Sequence, residues 1–94
     1  MLESALTTKI RKALIADGHF VWKAKGDPRQ TKGIPDLCGA RSPDGRFFGL
    51  EVKVPGREKT LTRNQAAQLR RIEKAGGIAT VVTSVAESQE ALRE

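Results

Sequence analysis

Asp36, Glu51 and Lys53 are charged side chains inside a stretch, GIPDLCGARSPDGRFFGLEVK from Gly33 to Lys53, that otherwise reads as two apolar strands and a turn. Strand interiors resist charge, because a buried ion must be paired or bound to a metal to be tolerated. Side chains alternate faces along a strand. In RFFGLEVKV, Glu51 and Lys53 therefore share one face, and Leu50, Val52 and Val54 share the other. A hairpin turning on Pro43–Asp44 sets Asp36 opposite Glu51, where cross-strand β-carbons lie about 4.5–5.5 Å apart. Two such carboxylates repel unless a cation neutralises them. A hard divalent ion such as Mg²⁺ takes carboxylate oxygens, keeps waters and bridges to phosphate. The peptide carbonyl of Val52 could complete its ligand set, and Lys53 would then stand beside the attacking water and the scissile phosphate. The plainer alternative is a cross-strand ion pair between Asp36 and Lys53, with Glu51 facing solvent.

The elements that must hold these groups can be read along the chain. Leu2, Leu6, Ile10, Ala13 and Leu14 recur at helical spacing over residues 2–17, and Gly18 is a left-handed cap candidate. HFVW, residues 19–22, reads as a short strand, followed by a polar, basic loop over residues 23–33. Pro35 keeps Ile34 extended, and a strand runs on to Arg41. Ser42-Pro43-Asp44-Gly45 is a turn signal, and Arg46–Val54 is the strongest strand. A second basic loop covers residues 56–61, and a helix covers Thr62–Ala75 with Ala66, Leu69 and Ile72 as its buried stripe, ended by Gly76-Gly77. IATVVT, residues 78–83, reads as a strand covered on both faces, and Ser84 caps a last helix over residues 85–93. The fold class expected is α/β, a mixed sheet with helices packed on it.

Composition narrows the chemistry. The chain has 94 residues, with one cysteine and one histidine, which excludes an internal disulfide, a cysteine-based zinc cluster and most histidine-based metal or nucleophile designs. One domain over residues 1–94 is expected. A chain this short buries only about 60–65% of its unfolded surface, so a second subunit would help it. The net charge is +6 with a pI near 10, the balance of a domain that binds a polyanion, nucleic acid foremost. Lys23, Lys25, Arg29 and Lys32 lead into Asp36, and Arg57, Lys59 and Arg63 follow Lys53, where a DNA backbone would have to lie. No recognition helix or zinc finger stands out, so backbone and shape readout is expected. No apolar run approaches the roughly 20 residues that span a membrane. The amphipathic N-terminus lacks a signal-peptide block, so a cytoplasmic location is expected.

Pro35-Asp36 followed by Glu51-Val52-Lys53 resembles the PD-(D/E)xK nuclease core. The fuller series is sharper: an early helical glutamate, KGIPDL, a short hairpin, GLEVK, a basic loop, LTRNQ and a helix ending in GG. That series is similar to the VRR-NUC family from Glu3 to about Val82. The resemblance implies a restriction-endonuclease-like αβββαβ core with a short C-terminal helix. It implies an acidic triad of Glu3, Asp36 and Glu51 around Mg²⁺ or Mn²⁺, with Lys53 and Gln65 as further catalytic residues. It also implies a homodimeric endonuclease acting on DNA, with branched structures such as four-way junctions as the substrate. Each added residue has a plainer role beside it. Glu3 complements a helix dipole, and Thr62–Gln65 forms a capping box that needs no catalysis. Rival functions are a restriction-like or nicking nuclease on duplex DNA, a nucleic-acid-binding module without catalysis, and a structural protein whose charges only stabilise the hairpin. Phe20 and Trp22 are expected in the core, His19 is expected to be incidental, and Cys38 is expected as a small packing residue rather than a ligand.

Overall fold

The computed structural model describes residues 1–24 and 32–93. Most of the first basic loop, residues 25–31, lies outside them, and with it Lys25 and Arg29. The chain forms α1 (Glu3–Ala16), β1 (Phe20–Lys23), β2 (Leu37–Ala40), β3 (Phe47–Val52), a single 3₁₀ turn (Glu58–Thr60), α2 (Arg63–Lys74), β4 (Ile78–Val82) and α3 (Val85–Ala91). This is the αβββαβ order with a short C-terminal helix. The 3₁₀ turn falls in the second basic loop, where no element was expected.

The four strands form one mixed sheet in the order β1-β2-β3-β4. β1–β2 and β2–β3 are antiparallel, while β4 returns through α2 to lie parallel to β3. The hairpin register is the one the turn demands, with Leu37 opposite Leu50 and Cys38 opposite Gly49. β4 is an edge strand, yet α2 and α3 both pack against it, which fits its apolar run.

Leu6, Ile10 and Leu14 stand one above another on α1 and are buried on the sheet face that carries Val21, Leu37, Phe48, Leu50, Val52, Ile78 and Val82. Leu2 is not part of that stripe: it precedes the helix as its N-cap and is 76% exposed. Both long helices stop in the same way. The amides of Gly18 and His19 donate to Ile15 and Leu14, and those of Gly76 and Gly77 donate to Glu73 and Ile72, with Gly18 and Gly76 at positive φ. These paired bonds satisfy the carbonyls that a helix end leaves open. α2 covers the opposite sheet face over β3 and β4, with Leu69 buried and Ala66 and Ile72 half-buried.

Candidate active site

Asp36 and Glu51 meet where β2 begins and β3 ends. Asp36 stands one residue before β2, and the next step of the hairpin register sets it beside Glu51. Its backbone carbonyl accepts from Ala24 at 2.9 Å. Its carboxylate Oδ2 accepts from the Val52 amide at 2.8 Å, so the side chain continues the β3 ladder past the end of β2. Val52 buries its side chain in the core and turns its amide to Asp36.

Glu51 and Lys53 share the face under α2, as alternation requires, and both are buried, at 2% and 7% exposure. The plainer ion-pair arrangement does not form, because Glu51 does not reach solvent. Glu51 Oε2 accepts from Gln65 Nε2 at 2.9 Å and lies 3.8 Å from Lys53 Nζ. Glu51 Oε1 is buried and has no hydrogen-bond partner among the described residues. Burial, followed by the charge on Asp36, pushes the Glu51 carboxyl from 4.5 up to about 8, with Lys53 pulling the other way. Burial and the Asp36 charge thus hold a proton on Glu51 until a cation takes its place. An orphaned carboxylate oxygen with a second carboxylate beside it is a donor set that fits a hard divalent cation.

Gln65 serves two structures with one amide. Its backbone N–H donates to Thr62 Oγ1 at 3.1 Å, and its side-chain Oε1 accepts from the Thr62 amide at 2.9 Å, closing the capping box of α2. The remaining Nε2 is thereby aimed at Glu51. Gly33 makes this docking possible. Its φ is +87°, and a Cβ there would strike the backbone of Asn64 and Gln65, so the loop entering Asp36 presses directly on the first turn of α2.

Glu3 is exposed in the first turn of α1. Among the described residues, no three His, Cys, Asp or Glu side chains are gathered closely enough to hold a metal ion together. Lys23, Lys32, Arg57, Lys59 and Arg63 are all exposed. Cys38 packs as a small buried residue. Its thiol donates to the Pro35 carbonyl at 3.7 Å, and burial, followed by the Asp36 and Glu51 charges, pushes it up to about 11. His19 has a structural duty: its Nδ1 accepts from the Ser42 amide at 3.0 Å, and its ring meets Phe48 edge-on.

Phe20 and Trp22 correct the sequence reading. They do not enter the core but lie 68% and 41% exposed, alongside Phe47 at 42%. The reason is positional. They project onto the α2 face, and α2 lies over β3 and β4, leaving that face of β1 open. The parity was in the sequence, since Phe20 and Trp22 alternate with Val21, but the reach of α2 across their face was not.

A family model of the VRR-NUC domain matches residues 1–86. The chain belongs to the VRR-NUC domain family. It therefore carries a nuclease-type domain, a hydrolase that takes DNA as its substrate. A solved structure described as a VRR_NUC domain superposes with a TM-score of 0.75 at 24% identity, over 98% of this chain and 95% of that one. That likeness supports the mixed sheet and its helices as the family fold. No curated protein matches the chain. Among the described residues, no helix is long and apolar enough to cross a membrane.

Proposed function

We propose that this VRR-NUC domain is a divalent-metal-dependent endonuclease that cuts DNA phosphodiester bonds, selective for branched structures such as four-way junctions and active as a homodimer. The observation that carries the metal-dependent reading is the pairing of half-buried Asp36 with buried Glu51, whose Oε1 is orphaned among the described residues and whose Oε2 lies beside Lys53. Asp36, Glu51 and the Val52 carbonyl would hold Mg²⁺ or Mn²⁺, and the family resemblance adds Glu3. When bound, the ion would supply Lewis-acid activation of water and neutralise charge on the phosphate.

The chain's own groups divide the remaining work. Lys53, buried beside Glu51, places its ammonium nitrogen where the phosphate gathers negative charge in the transition state. Gln65 fixes the Glu51 carboxylate from the α2 side. Asp36 is fixed by the Val52 amide, so both acids are positioned before substrate arrives. Lys23, Lys32, Arg57, Lys59 and Arg63 are exposed cations that suit backbone contacts, and Lys25 and Arg29 are proposed for the same role from sequence. A two-fold dimer presents two such sites, matching the symmetry of a four-way junction.

The test is a cleavage panel of labelled duplex, flap and four-way junction DNA of equal length with Mg²⁺ or Mn²⁺, run beside a sedimentation measurement of mass. The proposal expects junction or flap cutting at least tenfold faster than duplex cutting, by a species of twice the chain mass. Equal cutting of plain duplex would remove the branched-DNA selectivity, and binding without cutting in any metal would remove catalysis.

A further inference from the structure

Three aromatic side chains stand in a row on the sheet face that also carries Glu51. Trp22 is the cross-strand neighbour of Cys38, which is the neighbour of Gly49, and Gly49 has the same parity as Glu51. Directly opposed residues share a face, so the Trp22 row lies one pleat repeat, about 7 Å along the strands, from the row of Asp36 and Glu51. The Phe20 and Trp22 rings are 5.5 Å apart and tilted by 53°, and Trp22 and Phe47 are 6.4 Å apart and tilted by 57°. The tilts leave ring faces open rather than closed on one another.

A groove of about 480 Å³ runs from this row to the active-site loop, walled by Trp22, Ile34, Pro35, Phe47 and Ile72, with Lys23 its single charged lining residue among those described. An adjoining hollow of about 420 Å³ past Phe47 has Arg71 as its single charged lining residue among those described. Among the described residues, neither is lined by a carboxylate. An apolar, aromatic surface whose described charged lining residues are Lys23 and Arg71 is complementary to a partner that is flat, apolar and anionic. An unpaired nucleobase on its phosphate chain has that chemistry. A second copy of this chain would bring like charges together.

We propose that Trp22, with Phe20 and Phe47, is a stacking platform for unpaired bases of the DNA substrate, holding a single-stranded arm beside the cleavage site. The inference rests on the nuclease reading above and adds to it the means by which unpaired DNA is recognised. Aromatic side chains stack any base through its π-face, so such a platform reads strandedness rather than sequence.

Trp22 is the only tryptophan in the chain, so its emission reports on this surface alone. Wild-type protein in EDTA is titrated with a single-stranded oligonucleotide, a flap substrate and a blunt duplex, while tryptophan emission and affinity are followed. The expected result is quenching by the oligonucleotide and the flap but not by the duplex. Trp22→Ala, with its fold checked by thermal melting, should then bind the single strand roughly five- to a hundredfold more weakly, and Trp22→Phe should recover most of that affinity. DNA binding without quenching, or Trp22→Ala binding the single strand as wild type does, would overturn the proposal. So would an emission change that follows protein concentration alone and coincides with a doubling of mass, because a second copy would then cover the face. Cleavage measured in parallel with Mg²⁺ separates the two claims. Cutting without quenching removes the platform and keeps the nuclease, whereas quenching without cutting in any metal keeps the platform and removes the nuclease.

Discussion

At the scale of single residues, the site is organised by side chains that each satisfy two demands. Gln65 is the clearest case. One oxygen and one backbone N–H close the capping box on Thr62, and the same amide group then has only Nε2 left, which goes to Glu51. The cap thus determines the direction of the contact with Glu51. The two duties can be separated by comparing Thr62→Ala with Gln65→Ala. Each removes part of the cap and should cost about 1 kcal/mol, which lowers the melting temperature by about 4–8 °C in a domain of this size. Thr62→Ala should nevertheless keep most of its cleavage rate, because Glu51 retains its partner. Gln65→Ala should lose at least tenfold in cleavage. Equal losses of rate in the two variants, measured well below both melting temperatures, would reduce Gln65 to a capping residue. The raised Glu51 carboxyl belongs to this scale as well. Burial and the Asp36 charge favour its neutral form, and any cation that binds the pair must displace that proton.

At the scale of elements, the site depends on three junctions: the start of β2, the end of β3 and the first turn of α2. Gly33 joins the first to the third. It has left-handed backbone, and the space a side chain would need is filled by the Asn64 and Gln65 backbone. Gly56 offers a matched control, at φ +89° with open space for at least 4 Å around the position a Cβ would take. Gly56→Ala should cost only the backbone strain, about 1 kcal/mol. Gly33→Ala should cost visibly more, about 2–4 kcal/mol, and should depress cleavage by pushing α2 away from Asp36. Comparable melting temperatures for the two variants would show that the loop and the helix are not in register as described. Much of this arrangement was legible in the sequence. Pro43 to Gly45 fixes the hairpin turn, the turn fixes the register, and the register places Asp36 beside Glu51. The Thr62–Gln65 pair announced the start of α2. Coverage was not legible. Alternation in HFVW shows that Phe20 and Trp22 share a face, but only the reach of α2 decides whether that face is buried. Nor did spacing reveal that Lys53 would be paired with Glu51 rather than with Asp36, since that depends on rotamers under a helix from a distant part of the chain.

At the scale of the whole molecule, the sheet divides the labour. One face, against α1 and α3, is apolar and carries the stability. The other is half covered by α2, and its polar and aromatic groups lie in sequence from Lys53 and Glu51 through Cys38 to Trp22 and Phe20. The surplus of six positive charges provides attraction to a polyanion that weakens with salt, while the half-buried Asp36 and the buried Glu51 bring two acidic groups together at one point of the sheet. Binding and chemistry are therefore separable, and a variant that lacks a carboxylate should still hold DNA.

The most direct test of the account is cleavage of a labelled four-way junction by wild type and Asp36→Asn in parallel, each with Mg²⁺, Mn²⁺ or EDTA, with binding measured on the same samples. The account predicts cutting by wild type in metal, none in EDTA, and at least a hundredfold loss for Asp36→Asn with affinity for the junction retained. Cutting by Asp36→Asn at the wild-type rate, or cutting undiminished in EDTA, would contradict it.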